Sequence, residues 1–518
     1  MGILIESKPQ LSSHEELQDQ PSSFPFSILQ SSFTGDLLTP LHSSYSSSIT
    51  RWAINASRPA SLVAYPKSPK DISLVMSFAQ TNGMKLTVKG GGHSCMGASS
   101  VGEGGVVVDL QKYFGGVRVD EGKKLAYVGG GAVWKDVDKE TMKYGLATVG
   151  GTVNHVSLKY TLGGGVGWLT GELGLSIDNL EQVTTFELDS NVVTTSLASH
   201  PDLFWALRGA GSNFGVVTEF VFRLHPQRKT VFSGFLIYPL LLDLGKIDEV
   251  FAATSEWWYR LKPGSTSNSE SGENDTVNVD MDLDVIVIPF LNGPESAGKE
   301  IYKGFFDSEP KVNTTGDLLY EEMNALMNDD YAHGLCRYMR GFSQSKIDVP
   351  RAHKVAELID QFNHPTKIIE RGESFKVTVV YEYIPLRKRD SIPVEATAFP
   401  RDLANNGFMV ITWERDTKEN WETAKVVKRV DKPISSGELH PNNKCYIDVP
   451  NTHVGDAQEN LDHRVRGRKH ASRLLFGEDK YEKLQRIKVQ CDPDNMFNSW
   501  FAIQPAQKRP TQVSTPIV

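Results

Sequence analysis

The stretch Val88–Ser94, VKGGGHS (88–94), decides how this chain is read, and its key residue is His93. Three successive glycines, Gly90, Gly91 and Gly92, leave the backbone bare, so a bulky ligand can approach it closely. An imidazole follows at the place where such a ligand would sit. Leu86-Thr87-Val88, just ahead, reads as a short strand, which puts the glycines in a strand-to-loop turn. Alone, the heptamer fits a plain structural turn equally well. Its meaning comes from the segments that accompany it.

Upstream, Leu62 to Pro66 reads as a strand stopped by proline. Asp71 then serves as a helix cap, with Ile72, Val75, Met76 and Ala79 on one face and Gly83 closing the helix. Downstream, Val106 to Leu110 is a buried-strand run. Leu125 to Val128 enters a second glycine cluster, Gly129 to Gly131, and Trp134 to Tyr144 has helical spacing. From there to Pro226 the text is rich in glycine and short strands, the mark of an α+β unit whose loops do the binding.

The character shifts near Pro226. Arg228 to Leu242 is apolar and strand-like, and residues 265–276 form a polar loop. Val277 to Val287 alternates, with Val279, Met281, Leu283 and Val285 on one face and Asn278, Asp280, Asp282 and Asp284 on the other. One strand with a solvated acidic outer face is expected. Strands at Phe375 to Tyr383 and Phe408 to Trp413, with helices at Tyr320 to Met327 and Ala352 to Phe362, complete a mostly antiparallel sheet with helices on one side. Beyond Asp456 the chain is helical and charged, and a Pro-rich tail follows Pro505. The expected units are 1–228 (core 55–227), 229–449, 450–505 returning to the first, and the tail 506–518.

Composition narrows the function. A chain of 518 residues exceeds one ordinary domain, and 39% hydrophobic with 23% charged residues describes a folded protein. A net charge of −8 lacks the basic face that nucleic acid or an anionic membrane would need. No apolar run reaches the length of a membrane span, so neither partner is expected. Cys95, Cys336, Cys445 and Cys491 show no C-x-x-C spacing, which argues against a disulfide framework and against a metal site, while one pairing stays open. MGILIESKPQ has no basic region followed by an apolar run, so a cytoplasmic protein is expected. No G-x-G-x-x-G follows an initial strand; Gly209-Ala210-Gly211 comes nearest with the wrong spacing, which weighs against a Rossmann domain.

Four segments taken together resemble the berberine-bridge-enzyme-like branch of the vanillyl-alcohol-oxidase flavoprotein superfamily. They are VKGGGHS (88–94), LGGGVGWLTGELGLSIDNL (162–180), PDLFWALRGAGSNFGVVTEFVFRLHP (201–226) and YEKLQRIKVQCDPDNMFNSWFAIQP (481–505). The resemblance implies an α+β fold: a two-subdomain FAD-binding domain of PCMH type, and a substrate domain whose antiparallel sheet is covered by helices. It also implies FAD, bonded covalently through His93, since an attached imidazole raises the flavin potential and prevents cofactor loss. Gly90, Gly91, Gly92, Ser94, Met96, Gly97 and Ala98 match residues along the pyrophosphate path, where N–H groups meet negative charge. Lys89 stands where relatives commonly have arginine, keeping the charge without the planar fork. Gly150, Gly151 and Thr152, with Gly163, Gly164, Gly165 and Gly167, continue the cradle. Asp178, Asn179, Gly215, Val216 and Val217 fall nearer the ribose and adenine, and His155 is placed for contact with the cofactor.

Two departures from the family pattern stand out. Many relatives carry a cysteine after Gly-Thr that bonds flavin C6; GGTVNHVS puts Val153 there, so a single covalent link is expected. Relatives often read Tyr-x-Asn-Tyr-x-Asp where this chain has YIDVPN (446–451), so the usual tyrosinate base is replaced by Val449. Hydride transfer still requires a proton acceptor, and the candidates are Glu382, Asp448, Tyr381 and Tyr383. On an alternating strand Glu382 faces opposite to the two tyrosines, so only one set can face the flavin. His333 reads more simply as a core or surface histidine. The expected function is oxidation of a small-molecule metabolite, an intermediate of specialised metabolism, with O₂ or another electron acceptor. The alternatives are a dehydrogenase or oxidative cyclase, and a redox-silent cyclase that retains FAD.

Overall fold

The protein is described from a computed structural model, which covers residues 24–187, 191–240, 244–261, 274–344, 347–363, 375–401, 405–420 and 472–506. Its first sheet has the order Asp36–Leu38, Leu62–Tyr65, Gly105–Asp109, Lys85–Lys89. The last three strands run parallel. The strand Gly105–Asp109 lies between two neighbours and is buried throughout, as its run of valines requires. Helix Pro69–Thr81 makes the crossover and buries Ile72, Val75, Met76 and Ala79. Its cap is Ser68, not Asp71. Ser68 Oγ accepts from the Asp71 N–H at 3.2 Å, and the Asp71 carboxylate accepts from the Ser68 N–H at 3.1 Å, a capping box. This crossover delivers the chain to Lys85–Lys89, whose end is the glycine turn before His93.

The second sheet is antiparallel, in the order Val117–Asp120, Leu125–Gly129, Val216–Arg223, Leu180–Phe186, Val192–Thr195. The two sheets meet at the second glycine cluster. A Cβ on Gly130 would lie 2.1 Å from the Val217 carbonyl oxygen, and one on Gly131 2.1 Å from that of Leu110. Only glycine lets these backbones approach so closely.

The third sheet has nine strands among the described residues and holds the middle of the chain. Helices Gly245–Arg260 and Val349–Asn363 cover one face, closing a core of Val279, Met281, Val377, Val379, Met409 and Ile411. The segment expected as one alternating strand is a hairpin of Asp275–Met281 and Asp284–Leu291, paired through Met281 and Val285. Its acidic face is not solvated either: Asn278 is 6% and Asp280 5% exposed. The FAD-binding part stands against that face, where Ile288 and Phe290 pack with Val153, Trp168 and Leu169.

Helix Glu478–Cys491 returns to the first part of the chain and buries Tyr481, Leu484 and Ile487 beside Phe204 and Trp205. Lys488, fully buried, donates to the carbonyls of Asn213 at 2.6 Å and Phe497 at 2.7 Å, and pairs with Asp492 at 2.5 Å. Lys488→Met removes one partner of a buried pair and strands two carbonyls. A loss of ~3 kcal/mol is expected, read as a lower urea midpoint. An unchanged midpoint would show that this lock carries no stability.

Candidate functional site

Gly92 has φ +71°, a conformation that favours glycine, and the turn it makes presents His93. A Cβ on Gly90 would lie 2.8 Å from Ser157 Oγ, and one on Gly91 3.1 Å from the His155 carbonyl oxygen. The bare glycines therefore admit the loop 155–157, which carries a second imidazole to the site. His93 Nε2 lies 2.5 Å from His155 Nδ1. The His93 ring stacks on His155 at 4.6 Å and on Trp52 at 4.5 Å. His333 completes the group: ligand atoms of the three histidines lie within 4.8 Å of one another. His333 is thus a site residue that sequence reasoning set aside. The trio also has the spacing a divalent ion could use, and because it forms through tertiary contact no spacing along the sequence signals it.

Burial, then the neighbouring His155, His333 and Arg337, push the His93 imidazole down to about 2. Burial and the same two outer groups push His155 down to about 4. Both rings are neutral near pH 7, so each keeps a nitrogen lone pair. His155 Nε2 is buried with no hydrogen-bond partner among the described residues. After His93 the chain turns tightly. Ser94 Oγ accepts from the Ala98 N–H at 3.2 Å, Met96 packs beside Trp52 and Cys95, Gly97 has φ +75°, and the Ala98 carbonyl accepts from Thr87. This turn fixes the histidine.

A small cavity of about 20 Å³ lies between the first two sheets, beside the same turn. Thr87, Val88, Gly90, Gly130, Gly215 and Val217 line its walls, with Lys159, Ser212, Phe497 and Ser499. Lys159 is missed by the sequence reading. Its ammonium donates to the Val88 carbonyl at 3.0 Å, and burial pushes it down to about 8. No carboxylate pairs with it among the described residues. A buried cation beside bare backbone complements the charge of a diphosphate such as that of FAD.

Several expected cradle residues have other roles. Lys89 pairs with Asp109 at 2.8 Å and donates to Gln111 at 3.1 Å, so its charge is already balanced. Asp178 forms an ion pair with Arg401 and accepts from the Leu175 N–H at 2.9 Å. Asn179 donates to the carbonyls of Leu173 and Leu175, and its oxygen meets His225 at 2.7 Å. Neither lines the cavity; both brace the turn before the strand Leu180–Phe186. Val216 points into the core of the first sheet. Gly150 and Gly151 rest on the Trp134 ring, Gly163 on Trp500, Gly164 on Phe399, Gly165 on Ser176 and Gly167 on the Gly150 carbonyl. Their missing side chains face protein. Thr152 is half-buried between Gly151 and Val153. Val153 is buried among Trp168 and Leu169.

The third sheet turns the face opposite its helices toward the histidines. Arg337 lies on that face and stacks over Trp52 at 4.1 Å, while its backbone exchanges hydrogen bonds with Asn55 at 2.8 and 3.1 Å. The ladder carries the same face from Arg337 through Thr412 and Lys376 to Val380 and Glu382, and across to Asn278 and Asp280. Glu382 is partly buried, and burial pushes its carboxyl up to about 7. Tyr381 and Tyr383 are corrected as base candidates. Both are 2% exposed in the helix-side core, where Tyr381 meets Phe251 and Tyr383 meets Trp258. Strand alternation allows nothing else once Glu382 faces inward. Asp448 lies outside the described residues.

A histidine at the end of a glycine turn, with a buried cation beside bare backbone and a separate sheet opposite, fits the FAD-binding class that the four sequence segments imply. Residues 60–196 match the FAD binding domain family, and residues 445–504 match the berberine and berberine-like family. An FAD-linked oxidoreductase of Dictyostelium discoideum is 32% identical over 466 residues, covering 88% of this chain and 91% of that one. (R)-6-hydroxynicotine oxidase of Paenarthrobacter nicotinovorans is 34% identical over 235 residues, covering 45% and 51%. In fold, the chain is similar to 6-hydroxy-D-nicotine oxidase from Arthrobacter nicotinovorans, with TM-score 0.74, 22% identity and coverage of 92% and 99%. Xylooligosaccharide oxidase from Myceliophthora thermophila is similar with TM-score 0.71, 19% identity and coverage of 93% and 99%. The chain belongs to the berberine-bridge-enzyme-like family of FAD-linked oxidoreductases. It binds FAD and is an oxidoreductase.

Proposed function

We propose that this chain is an oxidase of small-molecule metabolites that carries its FAD on one covalent bond, through His93. The observation that carries this reading is the neutral His93 imidazole held on Trp52 at the end of the glycine turn. FAD, when bound, supplies a hydride acceptor and passes the electrons to O₂, the simplest acceptor, or to another oxidant. The residues of the chain do the rest. Lys159 and the bare backbone around Gly90, Gly130 and Gly215 would hold the diphosphate of FAD between the first two sheets. The face bearing Glu382 forms the opposite wall, where substrate sits. Glu382, ionised, accepts the proton that leaves substrate oxygen or nitrogen as the hydride departs. A carboxyl pushed up to about 7 is matched to that task near neutral pH.

Val153 and Cys95 support the single link. Val153 has no group that could bond the flavin. Cys95 is buried with Trp52, Ala53 and Ala56, and burial pushes its thiol up to about 11, away from the reactive thiolate. A visible spectrum of the purified protein, taken before and after acid precipitation, tests the reading. A flavin band that stays with the pellet is expected. Colour released to the supernatant removes the covalent bond, and a colourless protein that takes up no FAD removes the function.

A further inference from the structure

Three imidazoles from separate parts of the chain converge where the glycine turn ends. His93 comes from that turn, His155 from the loop it admits, and His333 from just ahead of the strand Cys336–Gln344. Backbone contacts place His333 there. Gly334 turns the chain with φ +97°, and the Leu335 carbonyl accepts from the Ile54 N–H at 3.0 Å. Ring centres lie 4.6 Å apart for His93 and His155, 5.2 Å for His155 and His333, and 5.8 Å for His93 and His333. One nitrogen from each ring falls within 4.8 Å of the other two.

None of the three rings is tied to a carbonyl or carboxylate among the described residues. Their one side-chain hydrogen bond there is the 2.5 Å contact between His93 Nε2 and His155 Nδ1, and His155 Nε2 is buried with no partner. A histidine held for structure normally spends a ring N–H on an oxygen. In the 2.5 Å contact one ring turns its proton on the lone pair of the other. A cation in the place of that proton uses both lone pairs and draws in the third ring.

Three imidazole nitrogens without a carboxylate suit zinc and its d-block neighbours, not magnesium or calcium, which take oxygen. Zinc–nitrogen bonds of about 2.0–2.1 Å in a tetrahedron set the nitrogens ~3.3 Å apart. The close pair would open by ~0.8 Å, and His333, exposed at the rim, would swing in by up to ~1.5 Å. The fourth place stays open to water. Two cations stand near. Arg337 is engaged by the carbonyls of Trp52 and Ala332 and by the Trp52 ring, and Lys89 by Asp109. Both oppose the charge of an ion. No carboxylate supports the rings from behind among the described residues, a lack that costs ~10–100-fold in affinity. The site is therefore of moderate strength. We propose that the chain without flavin binds one zinc-type divalent ion through His93, His155 and His333, joining the FAD-binding part to the third sheet. The inference assigns binding only. It concerns the chain before FAD enters, so it does not rest on the flavin bond proposed above.

The full chain, produced without flavin from riboflavin-starved cells, is titrated calorimetrically with zinc and, in parallel, with magnesium. One zinc per chain is expected, and no magnesium. Zinc should also raise the melting temperature, since an ion bound by the folded chain alone stabilises it. His333→Ala, at an exposed position, should weaken zinc binding by at least ~10-fold, because losing a ligand costs no less than losing the support behind one. His155→Ala should do the same, and it provides the answer should the first variant fail to fold. No zinc taken up, equal affinity for magnesium, or binding that both variants leave unchanged overturns the inference, the last by placing the ion on surface histidines. Flavin that is absent or acid-labile in the ordinary preparation ends the covalent reading instead, and the zinc titration still decides this one.

Discussion

His93→Ala is expected to leave no flavin in the acid-precipitated protein. The imidazole is the attachment point in the proposed reading, and no second group stands ready to replace it among the described residues. Val153 occupies the place of the second link, and Cys95 is buried with its thiol pushed up to about 11. FAD should still bind, because the residues that would hold its diphosphate, among them Gly130, Lys159 and Gly215, are unaltered. The variant should therefore purify yellow and lose its colour to the supernatant on acid treatment. Its flavin potential should fall, since the electron-withdrawing substituent is gone. Flavin fluorescence persisting in a denaturing gel of His93→Ala would place the bond elsewhere.

Glu382→Gln is the second large effect. The amide keeps the shape of the side chain and its neighbour Asn278 but cannot take a proton. Substrate-driven flavin reduction without oxygen should slow by ~10²–10⁴-fold, the usual worth of a general base. The pH dependence follows from the raised carboxyl. Only the ionised form accepts a proton, so the rate of the unaltered enzyme should climb with pH and level off above about 7. In the variant that rise should vanish. The same shift bears on stability with the opposite sense. The fold favours the protonated acid, so the contribution of Glu382 is lost as pH rises from the ordinary value of 4.5 through about 7. Glu382→Gln should flatten stability across that window. Tyr381→Phe offers the contrast: its ring packs on Phe251 behind the sheet, so the rate of flavin reduction should stay unchanged. A Tyr381→Phe rate as low as that of Glu382→Gln would return the base to the phenol.

Local pattern determined a good deal by itself. The strand Phe375–Tyr383 has the bounds that alternation predicted, and the helix Val349–Asn363 encloses the predicted one. VKGGGHS placed His93 after a strand because three bare residues and an imidazole have few other uses in such a turn. The alternation of residues 381–383 required that Glu382 and the tyrosines part company, though not which would face inward.

That choice belonged to the tertiary structure. Which face of a strand is buried against helices and which against another domain depends on elements far along the chain, here Gly245–Arg260 and the segment around Asn55. For the same reason Asn278 and Asp280 read as solvated and prove buried. His333 and Lys159 carry no signal of their own, since each becomes a site residue only when loops hundreds of ångströms apart along an extended chain are brought together. Asp178 matched a family motif and yet spends its charge on Arg401, a partner set by contact across 223 positions. Periodicity is a property of neighbours in sequence, and it fixes elements and the two faces of each. Partnership is a property of neighbours in space, and only packing assigns it.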